Sequence, residues 1–311
     1  MTKLANVLIY HWEGWKGFLI SHLVADYCHL EAKINDTIAD LEPSLTPDIQ
    51  AVLLQINLTH AEQFPTQRQQ LIKDLQAKGL LVLNHNIADI SKSNLHRMLE
   101  DAGLESAKAS PEGEPNEMLF IKSDLNWGGE LERRQSAELQ QMLDIDPQAP
   151  IKTHSQYYRA QRKTLSADIW QNRSVTIERF IDNPDESFYR VYAFGDAIVV
   201  VKAHAPELIK KINGDARDYN YFYQREGIMK GKTDLPPKLQ TTIRKFMQYE
   251  QFQHSGLSYF CLDIVHDLND FYIIDLNLTP YAGMDEQTTA ATEFLCQGAQ
   301  HYLRRKLKKQ A

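Results

Sequence analysis

The chain has 311 residues, of which 43% are hydrophobic and 24% are charged, and its formal net charge at pH 7 is -7. This composition is typical of a globular protein with two or three packed units, and it excludes a chain dominated by disorder. The negative charge argues against nucleic-acid binding, because phosphate binding needs a basic face. No apolar run approaches the roughly 20 residues needed to span a bilayer, and the first residues lack a secretory signal, so we expect a cytoplasmic protein.

The cysteines, the histidines and the absence of two common motifs exclude several further kinds of active or metal site. The three scattered cysteines, Cys28, Cys261 and Cys296, predict free thiols rather than a disulfide framework or a zinc site. No histidine shows a metal-ligand spacing such as HExxH, and neither a GxSxG elbow nor a GxxxxGK[ST] phosphate loop is present. Hydrolase and P-loop functions therefore find no support.

The N-terminal third alternates strand-like and helix-like segments, which is the pattern of an open α/β layer. Runs of apolar residues predict strands at residues 5–12, 51–58 and 80–85. Apolar residues at helical spacing predict helices at residues 17–30, 66–79 and 91–103. Ser91 is the expected N-cap of the third helix.

Residues 105–117 are rich in Glu, Ser, Pro and Gly and predict a linker or an exposed loop. The rest of the chain predicts a mixture of strands and helices, with a hairpin turn at Gly195-Asp196. In chain order, these elements are strands at 117–124 and 174–181, a hairpin at 188–204, a helix at 236–254, strands at 258–267 and 271–280, and a helix at 286–307.

The last two strands place acidic residues close together if they pair across a three-residue turn. That register puts Asp263 opposite Asp275, Val265 opposite Ile273, and Asp267 opposite Phe271. Because side chains alternate between the faces of a strand, Asn277 shares the face of the two acids. Leu262, Ile264, Ile274 and Leu276 then point to the other face.

Two carboxylates opposite each other destabilise a sheet unless something compensates their charge. Mg²⁺ is suited to this position because it binds one or two carboxylates together with substrate phosphates. The alternative is an exposed hairpin whose polar face meets water, which suits the turn residues Asp267, Asn269 and Asp270. The apolar surroundings of Asp275 in the segment FYIIDLNL favour the metal.

The segment LDIVHDLNDFYIIDLNLTPYAG resembles the last motif of the ATP-grasp superfamily, in which acidic residues and an Asn carry magnesium. Asp263, Asp275 and Asn277 match that motif, and Asp275 is one methylene shorter than the family's usual Glu. The resemblance implies that these three residues bind Mg²⁺ or Mn²⁺ together with ATP.

The resemblance extends backward along the chain in the family's order. It implies phosphate-binding roles for Lys92 and Lys122 and for a glycine-rich loop at Asn126–Gly129, in which Gly128 and Gly129 close over the triphosphate. It also implies phosphate or acyl-phosphate contacts for Arg190 and Lys202, with Asn277 sharing the catalytic role. The adenine pocket that it implies is formed by Glu178, Arg179, Phe180, Ile181 and Leu276.

By this resemblance, residues 85–290 form the ATP-grasp module and residues 1–84 resemble the α/β domain that precedes it. The implied fold class is α/β (α+β), with a Rossmann-like pre-ATP-grasp domain and two α+β subdomains that enclose the nucleotide. We set the boundaries at 1–110, 111–181 and 182–311. The peptide-forming branch that contains ribosomal-protein glutamate ligase is the nearest. D-alanyl-D-alanine ligases carry an Arg where this chain has Cys261.

The implied function is an ATP-dependent carboxylate–amine ligase that forms an amide or peptide bond through an acyl-phosphate. Small-molecule or peptide acids and amines are the implied substrates, with no nucleic acid or membrane partner. Two alternatives stay open: an ATP-binding sensor or inactive partner, and a kinase that phosphorylates a small molecule. The sequence leaves open the identity of the substrates and whether the chain forms a homo-oligomer.

Overall fold

The structure is a computed structural model, and it describes residues 3–210, 216–225, 234–249, 257–267, 269–281 and 286–308. Within these ranges, no helix is both long and apolar enough to cross a bilayer. The regular elements form three sheets, which follow one another along the chain.

The first sheet has four parallel strands in the order β2-β1-β3-β4. Its two central strands are almost wholly buried, as expected for a parallel sheet that is covered on both faces. The strands are β1 (Val7–Trp12), β2 (His29–Glu31), β3 (Ala51–Ile56) and β4 (Leu81–Leu83). The helices of this region are α1 (Ile20–Leu23), α2 (Ile38–Leu41), α3 (Arg68–Ala77) and α4 (Lys92–Asp101).

The structure corrects one helix in this region and confirms two. The predicted helix at 17–30 is reduced to α1, because the chain becomes extended at Val24 and residues 29–31 pair with β1 as a parallel strand. The helices predicted at 66–79 and 91–103 are present as α3 and α4. Ser91 caps α4 by accepting a hydrogen bond from the Asn94 N–H at 3.2 Å.

The second sheet has three antiparallel strands with β5 in the centre. The sequence predicted two of them, β5 (Met118–Ser123) and β7 (Val175–Arg179), and missed β6 (Tyr158–Gln161). Short helices join them: α5 (Glu130–Arg133), α6 (Ala137–Met142) and α7 (Ala167–Gln171). The described residues also form 3-10 turns at Trp15–Gly17, Glu42–Ser44, Asn126–Gly129, His154–Gln156 and Arg162–Thr164.

The third sheet has five antiparallel strands in the order β10-β9-β8-β11-β12. The predicted hairpin at 188–204 is confirmed, with Gly195 in the left-handed region at φ +58° in its turn. The strands are β8 (Ser187–Phe194), β9 (Ala197–His204), β10 (Arg217–Arg225), β11 (Tyr259–His266) and β12 (Phe271–Asn277). The last two helices are α8 (Pro237–Gln248) and α9 (Glu286–Leu307). The predicted helix at 236–254 extends beyond α8 into residues 250–254, which lie outside the described ranges.

Helices α4, α8 and α9 cover the two faces of the third sheet. Leu95 and Leu99 of α4 and Ile243 of α8 pack in one core with Leu262 and Leu276 of the sheet. Across the other face, α9 contributes to a second core that includes residues of β8 and β9 and the whole first sheet. Residues 87–99 therefore pack with the C-terminal part of the molecule. The boundaries at residues 110 and 181 remain predictions.

At Gly298, α9 approaches the third sheet closely. A Cβ atom added there would lie 2.2 Å from the Cβ of Ala197 and 2.7 Å from its backbone nitrogen. Such a contact is far inside van der Waals distance, so either the helix or the β8–β9 hairpin must move to relieve it.

We predict that Gly298→Ala destabilises the protein by about 1–3 kcal/mol, as overpacking does in other cores. Helix propensity alone would change stability in the opposite direction by about 1 kcal/mol, which makes the sign of the effect informative. Chemical denaturation of the variant measures it, with Glu293→Ala on the exposed side of α9 as the control. An increase in stability for Gly298→Ala would contradict the close approach.

Candidate active site

The β11–β12 hairpin brings the two predicted acids together. Asp263 pairs directly with Asp275, and Cys261 pairs with Asn277. The predicted opposition of Asp263 and Asp275 is confirmed. Since residues at alternate positions share a face, Asn277 lies on the same face as both carboxylates. All three predicted metal ligands line one cavity.

Nearer the turn, the predicted register is wrong by one residue. Val265 pairs with Tyr272 rather than Ile273, and His266 pairs with Phe271, so four residues lie between the paired positions. A β-bulge at Ile274 absorbs the extra residue. The longer turn and the bulge offset each other, and this is why the acids still face one another.

Arg190 on β8 pairs with Asp263 on the other side of β11, so three charged side chains stand in a row across neighbouring strands. Arg190 Nε donates to Asp263 Oδ1 and Nη2 donates to Oδ2, both at 2.7 Å. Lys92, the first residue of α4, donates to Asp275 Oδ1 at 2.6 Å. Each carboxylate thus has its own cation.

These ion pairs keep both cations charged. Burial lowers the pKa of Lys92, but the Asp275 carboxylate, together with Tyr157 and Glu178, outweighs burial and raises the pKa above its usual value. In the same way, burial lowers the pKa of the Arg190 guanidinium, but Asp263, together with Tyr192 and Cys261, outweighs burial and raises it. The group of two acids and two bases is electrically neutral as it stands.

A second group of buried charged side chains connects the three-stranded sheet with strand β12 of the five-stranded sheet. Lys122 Nζ on β5 lies 2.6 Å from Glu178 Oε1 on β7, and His96 Nε2 lies 2.9 Å from the same oxygen. Lys122 also donates to the carbonyl oxygen of Ile274 at 3.1 Å. Lys122 therefore bridges the three-stranded sheet and the edge strand β12.

Glu178 is ionised in spite of its burial. Burial raises the pKa of its carboxyl, but Lys122 and then His96 outweigh burial, and the net result is a pKa of about 2. The predicted contact of Glu178 with a nucleotide therefore competes with an ion pair that already exists.

The cavity between the sheets has a volume of about 690 Å³. Phe180 and Ile181 line it, as does Arg179, which donates to the carbonyl oxygen of Ser106 at 3.1 Å. The Arg159 guanidinium lies 4.9 Å from the centre of the Phe180 ring. This part of the cavity therefore combines the aromatic ring of Phe180 and the aliphatic side chain of Ile181 with two arginine side chains.

The predicted glycine-rich loop forms a 3-10 turn in which Trp127, Gly128 and Gly129 have φ angles of 50°, 75° and 78°. A Cβ at Gly128 would lie 2.4 Å from the His154 backbone nitrogen, so only glycine fits there. The two glycines are buried, whereas Trp127 is 50% exposed and lines the cavity. The tip of the loop, rather than its glycines, meets the cavity.

The structure does not bring every predicted residue to the cavity. Lys202 pairs with Tyr189, one position away from Arg190, and therefore lies on the opposite face of the sheet. Leu276 is fully buried in the core beneath α4 and α8. Ile274, predicted to face that core, is turned by the bulge toward the cavity, which it lines in place of Leu276. Gly128 and Gly129 lie behind the cavity wall.

Several cavity residues were not singled out from the sequence. They include Phe120 and Tyr157, whose rings meet edge to face with centroids 6.0 Å apart, and Arg159 on the missed strand β6. Alternation along β5 could have identified Phe120, since it is two residues before Lys122. For Tyr157 and Arg159, the polar sequence of β6 carries no comparable signal.

The donor set fits a hard cation, such as Mg²⁺, next to a nucleotide. Asp263 and Asp275 offer carboxylate oxygens with unused lone pairs, because each carboxylate can accept about four hydrogen bonds or metal bonds. Asn277 Oδ1 accepts from the Thr279 N–H at 2.7 Å and from the Thr279 hydroxyl at 3.1 Å, and these contacts orient the amide. The basic residues nearest to these oxygens, Lys92 and Arg190, suit a phosphate group.

We predict that Glu178→Gln lowers the free energy of unfolding by about 3–5 kcal/mol at neutral pH, because it leaves Lys122 buried without its anion. The pKa of Glu178 is about 2 in the folded protein against an ordinary value of 4.5. The stabilisation is therefore present above pH 4.5 and is lost as pH falls from 4.5 toward 2. The difference between wild type and variant should shrink in that window.

Urea denaturation from neutral pH to about pH 3 measures this difference. Glu114→Gln, which removes an exposed carboxylate, is the control and should show no such dependence. A deficit for Glu178→Gln that stays constant over the same range would contradict the depressed pKa.

No protein-family model and no curated protein matches the sequence. Among solved structures, the chain is similar to the ATP-grasp ligase PsnB complexed with a minimal precursor, with a TM-score of 0.51 and 14% identity, over 99% of this chain and 100% of that one. It is also similar to D-alanyl-alanine synthetase A from Vibrio cholerae O1 biovar eltor, with a TM-score of 0.50 and 11% identity, over 98% and 100%. The chain has the ATP-grasp fold.

Proposed function

We propose that this protein is an ATP-dependent carboxylate–amine ligase, which forms an amide or peptide bond and releases ADP and phosphate. One observation carries the proposal. Asp263 and Asp275 oppose each other on adjacent strands, and they share one cavity with Lys92, Lys122 and Arg190. Carboxylate oxygens that can bind a metal ion thus lie close to three basic side chains that can bind phosphate, beside an apolar pocket.

Charge neutralisation is what this arrangement can contribute to catalysis. ATP and a carboxylate substrate both bring negative charge, and their repulsion must be offset before a carboxylate oxygen can reach the γ-phosphorus. Lys92 and Arg190 are held within hydrogen-bond distance of the two acids, at the edge of the cavity. Small rotations of these side chains would move them from carboxylate to phosphate oxygens.

The proposed reaction has two steps. First, a substrate carboxylate oxygen forms a bond to the γ-phosphorus while the bond to the β-phosphate oxygen breaks, which gives an acyl-phosphate and ADP. Then the amine nitrogen forms a bond to the acyl carbon, the bond to the phosphate oxygen breaks, and the amine proton passes to solvent. Neither step needs a covalent bond to the enzyme, so positioning and electrostatics carry the rate.

Asp263, Asp275 and Asn277 would hold Mg²⁺ or Mn²⁺. When bound, the cation supplies further neutralisation of phosphate charge. The two acids are already neutralised by Lys92 and Arg190. Adding a nucleotide alone, or a cation alone, would leave a net charge in a buried site, so we expect nucleotide and cation to bind together.

Water exclusion is the remaining requirement, because an acyl-phosphate hydrolyses. We propose that the tip of the loop at Asn126–Gly129 closes over the nucleotide. The base of this loop is anchored to the first sheet region: Thr59 donates to Glu132 Oε1 through both its N–H and its hydroxyl at 2.7 Å, and the Asn126 N–H donates to the Thr59 hydroxyl. Movement is therefore expected at Trp127 rather than at the base.

The substrates are proposed by class only. PsnB is described with a minimal precursor bound, and on this basis a peptide is one candidate for the acid or the amine. Small-molecule acids and amines are the other candidates. The nearly equal similarity to PsnB and to D-alanyl-alanine synthetase A does not separate the predicted ribosomal-protein glutamate ligase branch from the D-alanine ligases.

One observation favours a second candidate, a nucleotide-binding protein without ligase activity. Both oxygens of Asp263 are held by Arg190 at 2.7 Å, so cation binding must compete with a bidentate ion pair. A panel of acids and amines incubated with ATP and magnesium distinguishes the candidates. Amide formation with ADP release supports the ligase, nucleotide binding without ADP release supports the sensor, and a stable phosphorylated product supports the kinase.

We predict that Asp275→Asn lowers acid-dependent ADP release by roughly 100-fold or more. The substitution removes one of the two carboxylate charges that would hold the metal ion beside the reacting phosphates. The substitution keeps the size of the side chain but leaves the buried Lys92 without its anion, so the melting temperature should fall, and ADP release is measured well below that temperature. Measuring ADP release and the melting temperature in parallel separates loss of function from loss of fold.

Asp270→Asn is the matched control for this substitution. Asp270 follows the same hairpin turn, is partly exposed, and pairs with Lys238 at 3.1 Å outside the cavity. Its variant should retain wild-type ADP release. Equal rates for Asp275→Asn and wild type would refute the assignment of the acids.

A further inference from the structure

A group of potential metal ligands lies outside the cavity, on the segments that follow β3 and precede α4. His60, Glu62 and Asp89 each offer one ligand atom, and the three atoms lie within 4.8 Å of one another. None of these residues lines the cavity. His60 and Asp89 are about one-third exposed, so a cation can reach them from solvent.

The backbone holds the two segments in a fixed register. The Ala61 N–H donates to the Ala88 carbonyl at 2.6 Å, and the Ile90 N–H donates to the Thr59 carbonyl at 2.9 Å. His60 therefore stands directly opposite Asp89. The Asp89 carboxylate is oriented further by the Ser91 N–H, which donates to its Oδ1 at 2.8 Å. Two of the three ligands are thus positioned before any cation binds.

The group carries more negative than positive charge. It has two carboxylates and one imidazole, and His60 Nδ1 lies 3.4 Å from Asp89 Oδ1. The nearby Arg68 guanidinium donates its hydrogen bonds to the carbonyl oxygens of Phe64, Asn84 and Ile87, and its charge acts on Glu62 only through space. A bound divalent cation would compensate the excess negative charge.

We propose that His60, Glu62 and Asp89 form a binding site for a divalent transition metal, with Zn²⁺ as the preferred ion. One imidazole nitrogen and two carboxylate oxygens are ligands that zinc accepts, whereas magnesium takes oxygen ligands. At zinc–ligand distances of roughly 2.0–2.1 Å and a tetrahedral angle, two ligand atoms lie about 3.4 Å apart. The His60–Asp89 separation already has this value.

The position of the site gives the metal a structural role. Asp89 and Ser91 form the turn that starts α4, and the first residue of α4 is Lys92, the partner of Asp275. Thr59, next to His60, holds Glu132 beneath the glycine-rich loop. A cation at this site would link the two segments and stabilise the base on which both cavity elements stand.

Zinc binding to the metal-free, untagged full-length protein tests the proposal. Titration calorimetry should detect one zinc ion per chain in an Asp275→Asn background, in which the acids of the cavity are weakened as a competing site. The same protein should melt at a higher temperature with zinc than without it. Substitution by cobalt(II) should produce ligand-field absorption that reports nitrogen and oxygen coordination.

In that background, His60→Gln should weaken zinc binding by about tenfold or more and abolish the increase in melting temperature. Glu62→Gln, at an exposed position, provides a second variant if His60→Gln folds poorly. His301→Gln is the matched control, because His301 also pairs with an acid, Asp196, at 2.8 Å, and among the described residues this pair belongs to no group of three potential metal ligands.

Three results would overturn the proposal: no zinc bound to the parent protein, zinc affinity unchanged by both His60→Gln and Glu62→Gln, or an equal loss of affinity in His301→Gln. None of these results bears on ADP release, and the failure of the ligase assignment would leave the zinc measurement unaffected. The two proposals therefore stand or fall separately.

Discussion

The constraint on which the rest of the site depends is the opposition of Asp263 and Asp275 on neighbouring strands. Two carboxylates in this position repel each other, and burial strengthens the repulsion by excluding water. The protein offsets it with one cation from each side: Arg190 extends the row across β8, and Lys92 reaches the row from α4. Helix α4, at the end of the N-terminal third of the chain, must therefore pack against a sheet whose strands begin about 100 residues later.

A second buried ion pair lies in the opposite wall of the cavity, which the three-stranded sheet forms. Lys122 and Glu178 lie on paired strands of the three-stranded sheet, and His96 contacts the same carboxylate from α4. Helix α4 thus carries a partner for each buried acid group, Lys92 for Asp275 and His96 for Glu178. Buried ion pairs contribute little net stability, but an unpaired member is costly, so they favour the one arrangement of α4 in which all members are paired.

Much of the fold follows from sequence patterns, and the exceptions have physical causes. Long segments with a clear period, such as α4 and α9, were predicted correctly, whereas the segment at 17–30 was not, because pairing of residues 29–31 with β1 outweighed local helix propensity. Strand β10 was also missed, although Tyr219, Tyr221 and Tyr223 stand at the alternate positions that indicate a strand. Only the first of these exceptions depends on residues that are distant in sequence.

The candidate site was predictable where it depended on alternation within a strand and unpredictable where it depended on tertiary contact. Asp263, Asp275 and Asn277 share a face by alternation. By contrast, the burial of Lys122 against Glu178 and the position of Lys202 on the far face depend on which strands become neighbours. The proposed zinc ligands illustrate the same limit, because Asp89 is 27 residues from Glu62 in sequence and only the backbone register brings them together.

The bulge at Ile274 connects these observations. By inserting one residue next to Asp275, it removes the Ile274 backbone from the regular ladder, and the Ile274 carbonyl oxygen instead accepts a hydrogen bond from Lys122. It also turns the Ile274 side chain from the core into the cavity, beside the acids. A regular hairpin would retain the opposed carboxylates but would lose both the apolar cavity wall and the anchor for Lys122. Bulges commonly redirect side chains next to active sites, and here the irregularity joins the hairpin that carries Asp263 and Asp275 to the lysine of the facing sheet.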